Sequence, residues 1–212
     1  IGTAGVPGAG LIMSTLVFTQ IGIPLEVVAL IDRFGYAKTI DKATFERNKE
    51  AALSESKYVI SCMNTDKACI FTDTGRLHLI KITDMPFGRF RDKSIPLDNL
   101  GNYDSSGENI IHICNLASIQ DSMMLFATKT GMLKLVKGSE FDVSKRTVAA
   151  TKLADGDSII AICTADNFNQ LVLQTENGYF IRFPMMNIPE MKKTAIGVRG
   201  MKLGDGDQVE NV

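Results

Sequence analysis

The residues with the most to offer chemically are cations that recur in short clusters. They are Phe87-Gly88-Arg89-Phe90-Arg91-Asp92-Lys93, Asp142-Val143-Ser144-Lys145-Arg146-Thr147, and the stretch from Met191 to Lys202 with Lys192, Lys193 and Arg199. Each cluster stands just before a short strand candidate: Ile95-Pro96-Leu97, Val148-Ala149-Ala150 and Val198-Arg199-Gly200. Lysines and arginines placed in this way can neutralise a phosphate backbone, releasing counterions and giving affinity without reading bases. The formal net charge of −1 over 212 residues shows no global excess, so a polyanionic partner rests on where the cations lie. Spacing alone equally allows a set of ordinary solvated loops.

Other chemistry is sparse. His78 and His112 lie in alternating apolar strands, where a structural role is expected, and no GxSxG elbow, HExxH or GxxxxGK[ST] loop occurs. Ala154-Asp155-Gly156-Asp157 and Gly204-Asp205-Gly206-Asp207 lack the spacing and distal glutamate of a calcium loop. They read as turns that open a new strand, with Ser106-Gly107-Glu108-Asn109 in the same slot of another repeat. Of four cysteines, Cys62, Cys114 and Cys163 fall in similar apolar strands and align at one position of the repeat, as core residues rather than metal ligands. No CxxC or disulfide framework is present, which fits a reducing cytoplasm.

The elements that must position these cations are four hairpins. An apolar strand runs to a turn glycine and leaves through a strand bearing a cation in Ile31–Lys38, Ile70–Leu77, Leu125–Lys134 and Leu171–Arg182, around Gly35, Gly75, Gly131 and Gly178. A further strand follows in three repeats: Tyr58–Cys62, Ile110–Cys114 and Ile159–Cys163. Recurrence at about 40 to 55 residues marks a propeller-like array in which each repeat is a small antiparallel sheet. The expected fold is all-β, about four four-stranded antiparallel blades. With 45% apolar and 22% charged residues the chain can bury a sizeable core.

Three strings carry a family resemblance: Thr194-Ala195-Ile196-Gly197-Val198-Arg199-Gly200-Met201-Lys202-Leu203-Gly204-Asp205-Gly206-Asp207, Phe141–Thr147, and Phe34-Gly35-Tyr36-Ala37-Lys38-Thr39-Ile40. Over about residues 33 to 212 the chain resembles the C-terminal domain of the A subunit of bacterial type IIA DNA topoisomerases, the family of DNA gyrase and topoisomerase IV. The resemblance implies a β-pinwheel, a spiral of blades with exchanged strands whose basic rim binds and bends duplex DNA. It makes Arg89, Arg91, Lys93, Lys145, Arg146, Lys192, Lys193 and Arg199 the phosphate contacts, with a positioning and wrapping role. It implies no catalytic residue, metal or cofactor in this segment, because the family's DNA-cleaving tyrosine, its magnesium and its ATP site belong to other domains and subunits. Tyr36, Tyr58, Tyr103 and Tyr179 match no such motif. The implied partners are double-stranded DNA and, in the holoenzyme, the A-subunit core and the B subunit, with no small-molecule substrate. The implied location is cytoplasmic, at the nucleoid. Gyrase A subunits carry a glutamine, two arginines and a glycine-rich basic stretch in the first blade. Here Ala43–Ala52 holds two cations, two glutamates and no glycine, which leans towards topoisomerase IV, whereas the fourth repeat looks more like gyrase.

The first residues follow a different pattern. From Ile1 to Leu25 there is no charge, and Leu11–Thr19 is an apolar helix candidate too short to cross about 30 Å of bilayer. No basic n-region marks a signal peptide. Ala4–Met13, Gly22–Glu26 and Ala29–Ile31 resemble the re-entrant hairpin and next helix of dicarboxylate and amino-acid:cation symporters. Residues 1–26 are therefore expected to be an apolar helical or disordered segment outside the domain, with 27–212 as the β-pinwheel. The stop at Val212, straight after a strand-opening turn, allows a truncated C-terminus. Val27–Ile31 also has the composition of the strand that the first hairpin needs. A protein-interaction propeller with an apolar face and a symporter fragment are the alternative readings.

Overall fold

Each turn glycine closes a hairpin because it alone turns the chain without steric cost. Gly35, Gly75, Gly131 and Gly178 have φ of 82°, 75°, 79° and 80°, in the left-handed region that L side chains avoid. In all four the glycine amide donates back three residues, to Asp32, Thr72, Thr128 and Thr175. A computed structural model describes residues 23–212. In chain order it contains β1 (Glu26–Asp32), β2 (Tyr36–Asp41), α1 (Lys42–Arg47), α2 (Lys49–Glu55), β3 (Ser56–Met63), β4 (Lys67–Thr72), β5 (Arg76–Lys81), β6 (Ile95–Pro96) and β7 (Ile110–Asn115). There follow α3 (Leu116–Ile119), β8 (Met123–Thr128), β9 (Met132–Lys137), β10 (Thr147–Ala149), β11 (Ile159–Thr164), β12 (Gln170–Thr175), β13 (Phe180–Pro184), β14 (Val198–Arg199) and β15 (Val209–Asn211).

The sheets are not built from consecutive strands. Their orders are β3-β1-β2-β6, β10-β5-β4-β7, β11-β8-β9-β14 and β13-β12-β15. Each hairpin gains a strand on one side from the segment that follows it and, in the first three, a short strand on the other side from beyond the next hairpin. Thus β6 pairs with β2 (Tyr36 with Pro96, Ala37 with Ile95), β10 with β5 (Leu77 with Val148), and β14 with β9 (Leu133 with Val198). The expected all-β array of four antiparallel blades is the fold; among the described residues the fourth blade has three strands.

The chain divides into two compact units: residues up to 68 with 80–101, and residues 69–79 with 102–212. In the first, Val28 and Leu30 of β1 and Ile40 of β2 bury against Phe45 and Ala52. Phe45 and Ala52 lie on two short helices that the repeat pattern does not announce. Asp41 caps α1, its carboxylate accepting from the Thr44 amide at 2.8 Å, and this cap is the one local signal for the helix. In the second unit the core is aromatic: Phe71 is fully buried with its ring edge-on to Phe126 and Phe141 at 6.0 and 5.2 Å. A separate cluster of Leu125, Ala127, Leu133, Leu171, Leu173 and Val209 joins the third and fourth hairpins of the same unit.

Two details of the repeat differ from the register that the sequence suggests. Cys114 and Cys163 are equivalent, each five residues past the carbonyl (Asn109, Ser158) that ties the strand start to the hairpin tip. Cys62 is not: it pairs with Val27, whereas Cys163 pairs with Leu125, whose counterpart in β1 pairs with Ile60. The register irregularities fall at the same step in both blades, with Lys57 the extra residue on β3 and Ile160 on β11, so Ser56 corresponds to Ile159 and Cys62 lies two residues beyond the Cys163 position. The hairpin cations also differ in place. Lys38 and Lys134 are equivalent, opposite Leu30 and Phe126, but Arg76 directly follows its glycine, and Ile181 takes the equivalent slot in the fourth hairpin, leaving Arg182 exposed.

The segment from Glu26 to Asp32 is β1, so Val27–Ile31 is strand as the hairpin requires. Leu25 and Ile23 are tied to Asn64, which accepts from the Leu25 amide at 2.8 Å and donates to the Ile23 carbonyl at 2.9 Å. The apolar helix candidate Leu11–Thr19 and most of the symporter-like segment lie outside the described residues.

Candidate nucleic-acid interface

The three cationic clusters fall in one structural slot, the loop that precedes an exchanged strand, except that Arg199 stands on the exchanged strand β14 itself. In the first unit, residues 87–93 lead into β6. In the second, residues 142–146 lead into β10 and residues 191–197 lead into β14. Two of the loops dock by the same backbone device, an isolated parallel bridge. Thr39 donates to the Pro86 carbonyl at 2.8 Å and accepts from the Gly88 amide; Leu135 donates to the Pro189 carbonyl at 3.0 Å and accepts from the Met191 amide. The third is held differently: the Leu79 amide donates to the Arg146 carbonyl at 2.8 Å, extending the antiparallel pairing of β10 with β5 by one residue.

Arg89, Arg91, Lys93, Lys145, Arg146, Lys192 and Arg199 are exposed. Lys193 is not: it is half-buried, and its ammonium donates to the Glu140 carbonyl at 2.6 Å. Glu140 also holds the loop through its carboxylate, which accepts from the Lys193 amide at 3.0 Å and pairs with the Lys192 ammonium at 3.1 Å. Burial raises the Glu140 pKa, but these bonds and the two lysine charges outweigh it and leave the carboxyl below its ordinary value. Arg89 pairs with Asp92 at 3.5 Å, and the Asp92 carboxylate accepts the Arg89 amide at 2.8 Å. The sites therefore sort into free cations, cations leaning on a neighbouring carboxylate, and one lysine committed to the scaffold.

Beneath the loops lie polar residues whose burial is not visible in the sequence. Lys134 is 1% exposed; its ammonium donates to the carbonyls of Ala195, Lys193 and Lys192 at 2.7, 3.0 and 3.3 Å and sits over the Phe126 ring. Burial pushes its pKa down to about 8, so at neutral pH it keeps the three protons that three carbonyls require. In the equivalent slot of the second hairpin, His78 Nδ1 is 3.1 Å from the Thr147 hydroxyl, beside Arg146. Its Nε2 lies 2.9 Å from Glu108 Oε1, and neither atom has another hydrogen-bond partner among the described residues. Glu108 Oε2 accepts from the Thr72 and Thr74 hydroxyls at 2.7 and 3.0 Å. Burial raises the Glu108 pKa, yet the bonds from Thr72, His78 and Thr74 more than offset it, and the carboxyl stands below its ordinary value.

The acidic turns tie strand starts to hairpin tips. Asp157 accepts from the Thr130 amide and hydroxyl at 3.0 and 2.6 Å, and Asp207 from the Asn177 amide at 3.2 Å. Asn109 does the same by donating its amide and side chain to Asp73. Among the described residues no cluster of His, Cys, Asp and Glu could hold a metal, and no helix is long and apolar enough to cross a membrane.

Hairpin blades completed by strands from the following repeat, with cationic loops at each exchange, define a strand-exchanged propeller-type domain. Residues 122–162 and 169–212 match the family described as DNA gyrase C-terminal domain, beta-propeller. The gyrase A protein of Lawsonia intracellularis is 29% identical over 196 residues, 87% of this chain and 24% of that protein. Its counterpart in Chlamydia pneumoniae is 32% identical over 162 residues, 75% of this chain and 19% of that protein. The crystal structure of the C-terminal domain of DNA topoisomerase IV matches with a TM-score of 0.79 over 88% of this chain and 60% of that one, at 21% identity. The chain is homologous to the C-terminal β-propeller domain of gyrase A proteins, with the family match over residues 122–162 and 169–212, and it spans about a quarter or less of the length of the curated relatives it matches.

Proposed function

We infer that this domain binds and wraps duplex DNA by its phosphate backbone, presenting it for ATP-dependent strand passage by a type IIA topoisomerase whose A subunit carries it. The observation that carries this reading is the repeated slot: three loops, each docked before an exchanged strand, each directing exposed cations to solvent. Such contacts fix position and bend without base readout. The domain is non-catalytic in this reading; cleavage, ATP and magnesium belong to the A-subunit core and the B subunit, in the cytoplasm. The helical stretch 42–55, which stands where gyrase A subunits carry a glycine-rich basic sequence, favours weak wrapping of the topoisomerase IV kind.

Duplex binding across a salt series tests the reading. If the seven exposed cations each neutralise one phosphate, the slope of log K against log salt is about −6, a loss of three to four decades between roughly 50 and 200 mM. Ligation of a nicked circle with the protein bound then reads wrapping as a change in linking number, and its sign separates the gyrase-like from the topoisomerase IV-like mode. Binding that is absent or indifferent to salt overturns the assignment in favour of a protein-interaction propeller.

A further inference from the structure

We propose that the third residue past the turn glycine, Lys38 or Lys134, is the positioning residue of its blade: it holds the backbone of the incoming cationic loop so that the loop's side chains face DNA. The proposal rests on the DNA-binding reading for its consequence and on geometry alone for the anchor.

Two unrelated-looking loops are gripped at the same atoms. Counting from the shared parallel bridge, Phe90 corresponds to Lys193 and Asp92 to Ala195. Lys38 Nζ donates to the carbonyls of Phe90 and Asp92, the latter at 3.3 Å; Lys134 Nζ donates to those of Lys193 and Ala195. The intervening sequences, Gly88-Arg89-Phe90-Arg91-Asp92 against Met191-Lys192-Lys193-Thr194-Ala195, share only the cation of Arg89 and Lys192, while the carbonyl cradle and its lysine are kept in both. In both, the ammonium also faces an aromatic ring, Phe90 at 5.1 Å and Phe126 at 5.5 Å. In the second blade His78 takes the slot and meets a side chain of the exchanged strand itself, the Thr147 hydroxyl.

A cation is suited to the slot because several carbonyls converge on it and an ammonium offers three donors and no acceptor. Burying such a charge costs several kcal/mol unless every donor is used, so a lysine 1% exposed at this point is tied to its acceptors. Beyond the parallel bridges, the Asp92 bond to the Arg89 amide and the Glu140 bonds to Lys192 and Lys193, the anchor is the contact that gathers the loop carbonyls. The strands they feed, β6 and β14, are two residues long. Peptide carbonyls turned inward to the anchor leave the Arg89, Arg91 and Lys192 side chains on the outside, where they are exposed. Lys38 and Lys134, which in sequence look like two more DNA-facing cations, thus act through the loops and not on the phosphates.

The test is Lys134→Met in the full chain, read in two ways. Hydrogen exchange of the amides of residues 191–197 should accelerate about tenfold or more, as expected when charge-assisted bonds are lost, while the β8 and β9 amides stay protected. Duplex affinity should fall about tenfold at fixed salt in the otherwise native chain and hardly at all in a Lys192→Gln/Arg199→Gln background, because the anchor acts through those side chains. Unchanged exchange in the loop overturns the anchor. A loss of affinity that persists in the neutralised background, with the salt slope reduced by about one, overturns it in favour of direct phosphate contact. If Lys134→Met does not fold, Lys38→Met at a half-buried site is read by exchange of residues 89–93 with the same two outcomes. Should the native chain fail to bind duplex at all, the DNA reading fails while loop exchange still decides the anchor.

Discussion

Replacing Glu108 by alanine removes the acceptor at the centre of the His78 network, and its cost can be worked out from the atoms it leaves behind. The carboxylate is 5% exposed and serves two hydroxyls, Thr72 and Thr74, and the ring of His78. Thr72 and Thr74 are 2.9 Å apart and can bond each other, so their loss is partial, whereas His78 Nε2 has no other partner among the described residues. One buried group stranded and another weakened, at about 1–3 kcal/mol each, gives roughly 2–6 kcal/mol, which brackets the range of about 3–5 found when one member of a buried ion pair is deleted. Glu108→Gln keeps an acceptor for the threonines but loses the charge and turns a donor amide towards His78 Nε2, so about 1–2 kcal/mol is expected. The pH dependence separates charge from shape. Glu108 is held below its ordinary pKa, so below about pH 4.3 the unfolded chain binds more protons than the folded one. The carboxylate's contribution is therefore complete above that pH and is lost as pH falls through the folded value. Urea unfolding of the full chain, followed by circular dichroism from pH 7 to 3.5, should show the native-minus-Gln difference constant to about pH 5 and shrinking below it. A difference that does not change with pH, or an alanine variant losing less than about 1 kcal/mol, refutes the reasoning.

Other outcomes follow from the same structure. Gly138→Ala should destabilise by about 1–3 kcal/mol or more in thermal unfolding, because a Cβ there would stand 1.7 Å from the Ile119 carbonyl oxygen and the backbone must move; an unchanged melting temperature contradicts that close approach. Lys145→Gln/Arg146→Gln should lower the salt slope of duplex binding by about two while leaving stability within about 0.5 kcal/mol, since both side chains are exposed. Cys62, buried and with its thiol pushed up to about 12 by burial and the nearby Asp66 charge, should resist alkylation at pH 8 in the native chain and react on unfolding. Rapid native labelling of Cys62 would show that β3 opens on its own.

The hairpins can be read from the amino-acid sequence because their causes are local: alternating or apolar strands on either side of a residue that must be glycine. The strand-opening Asp-Gly turns are legible for the same reason, and so is the placement of His78 as structural. The cationic loops and the strands they precede are visible as recurring positions, so both the repeat and the candidate interface are present in the sequence. The pairing of those strands is decided by tertiary structure alone. β6, β10 and β14 are two or three residues long, and each joins a hairpin that lies one repeat back, a long-range pairing with no local periodicity to announce it. Burial of charge is equally hidden. Lys38 and Lys134 look like Arg182 in sequence, yet they hold carbonyls while Arg182 faces solvent, and Glu108 looks like a turn residue but closes a network across four segments. Composition and spacing determine which residues can become strands and turns; which cations become anchors depends on where distant carbonyls converge once the blades exchange their edges.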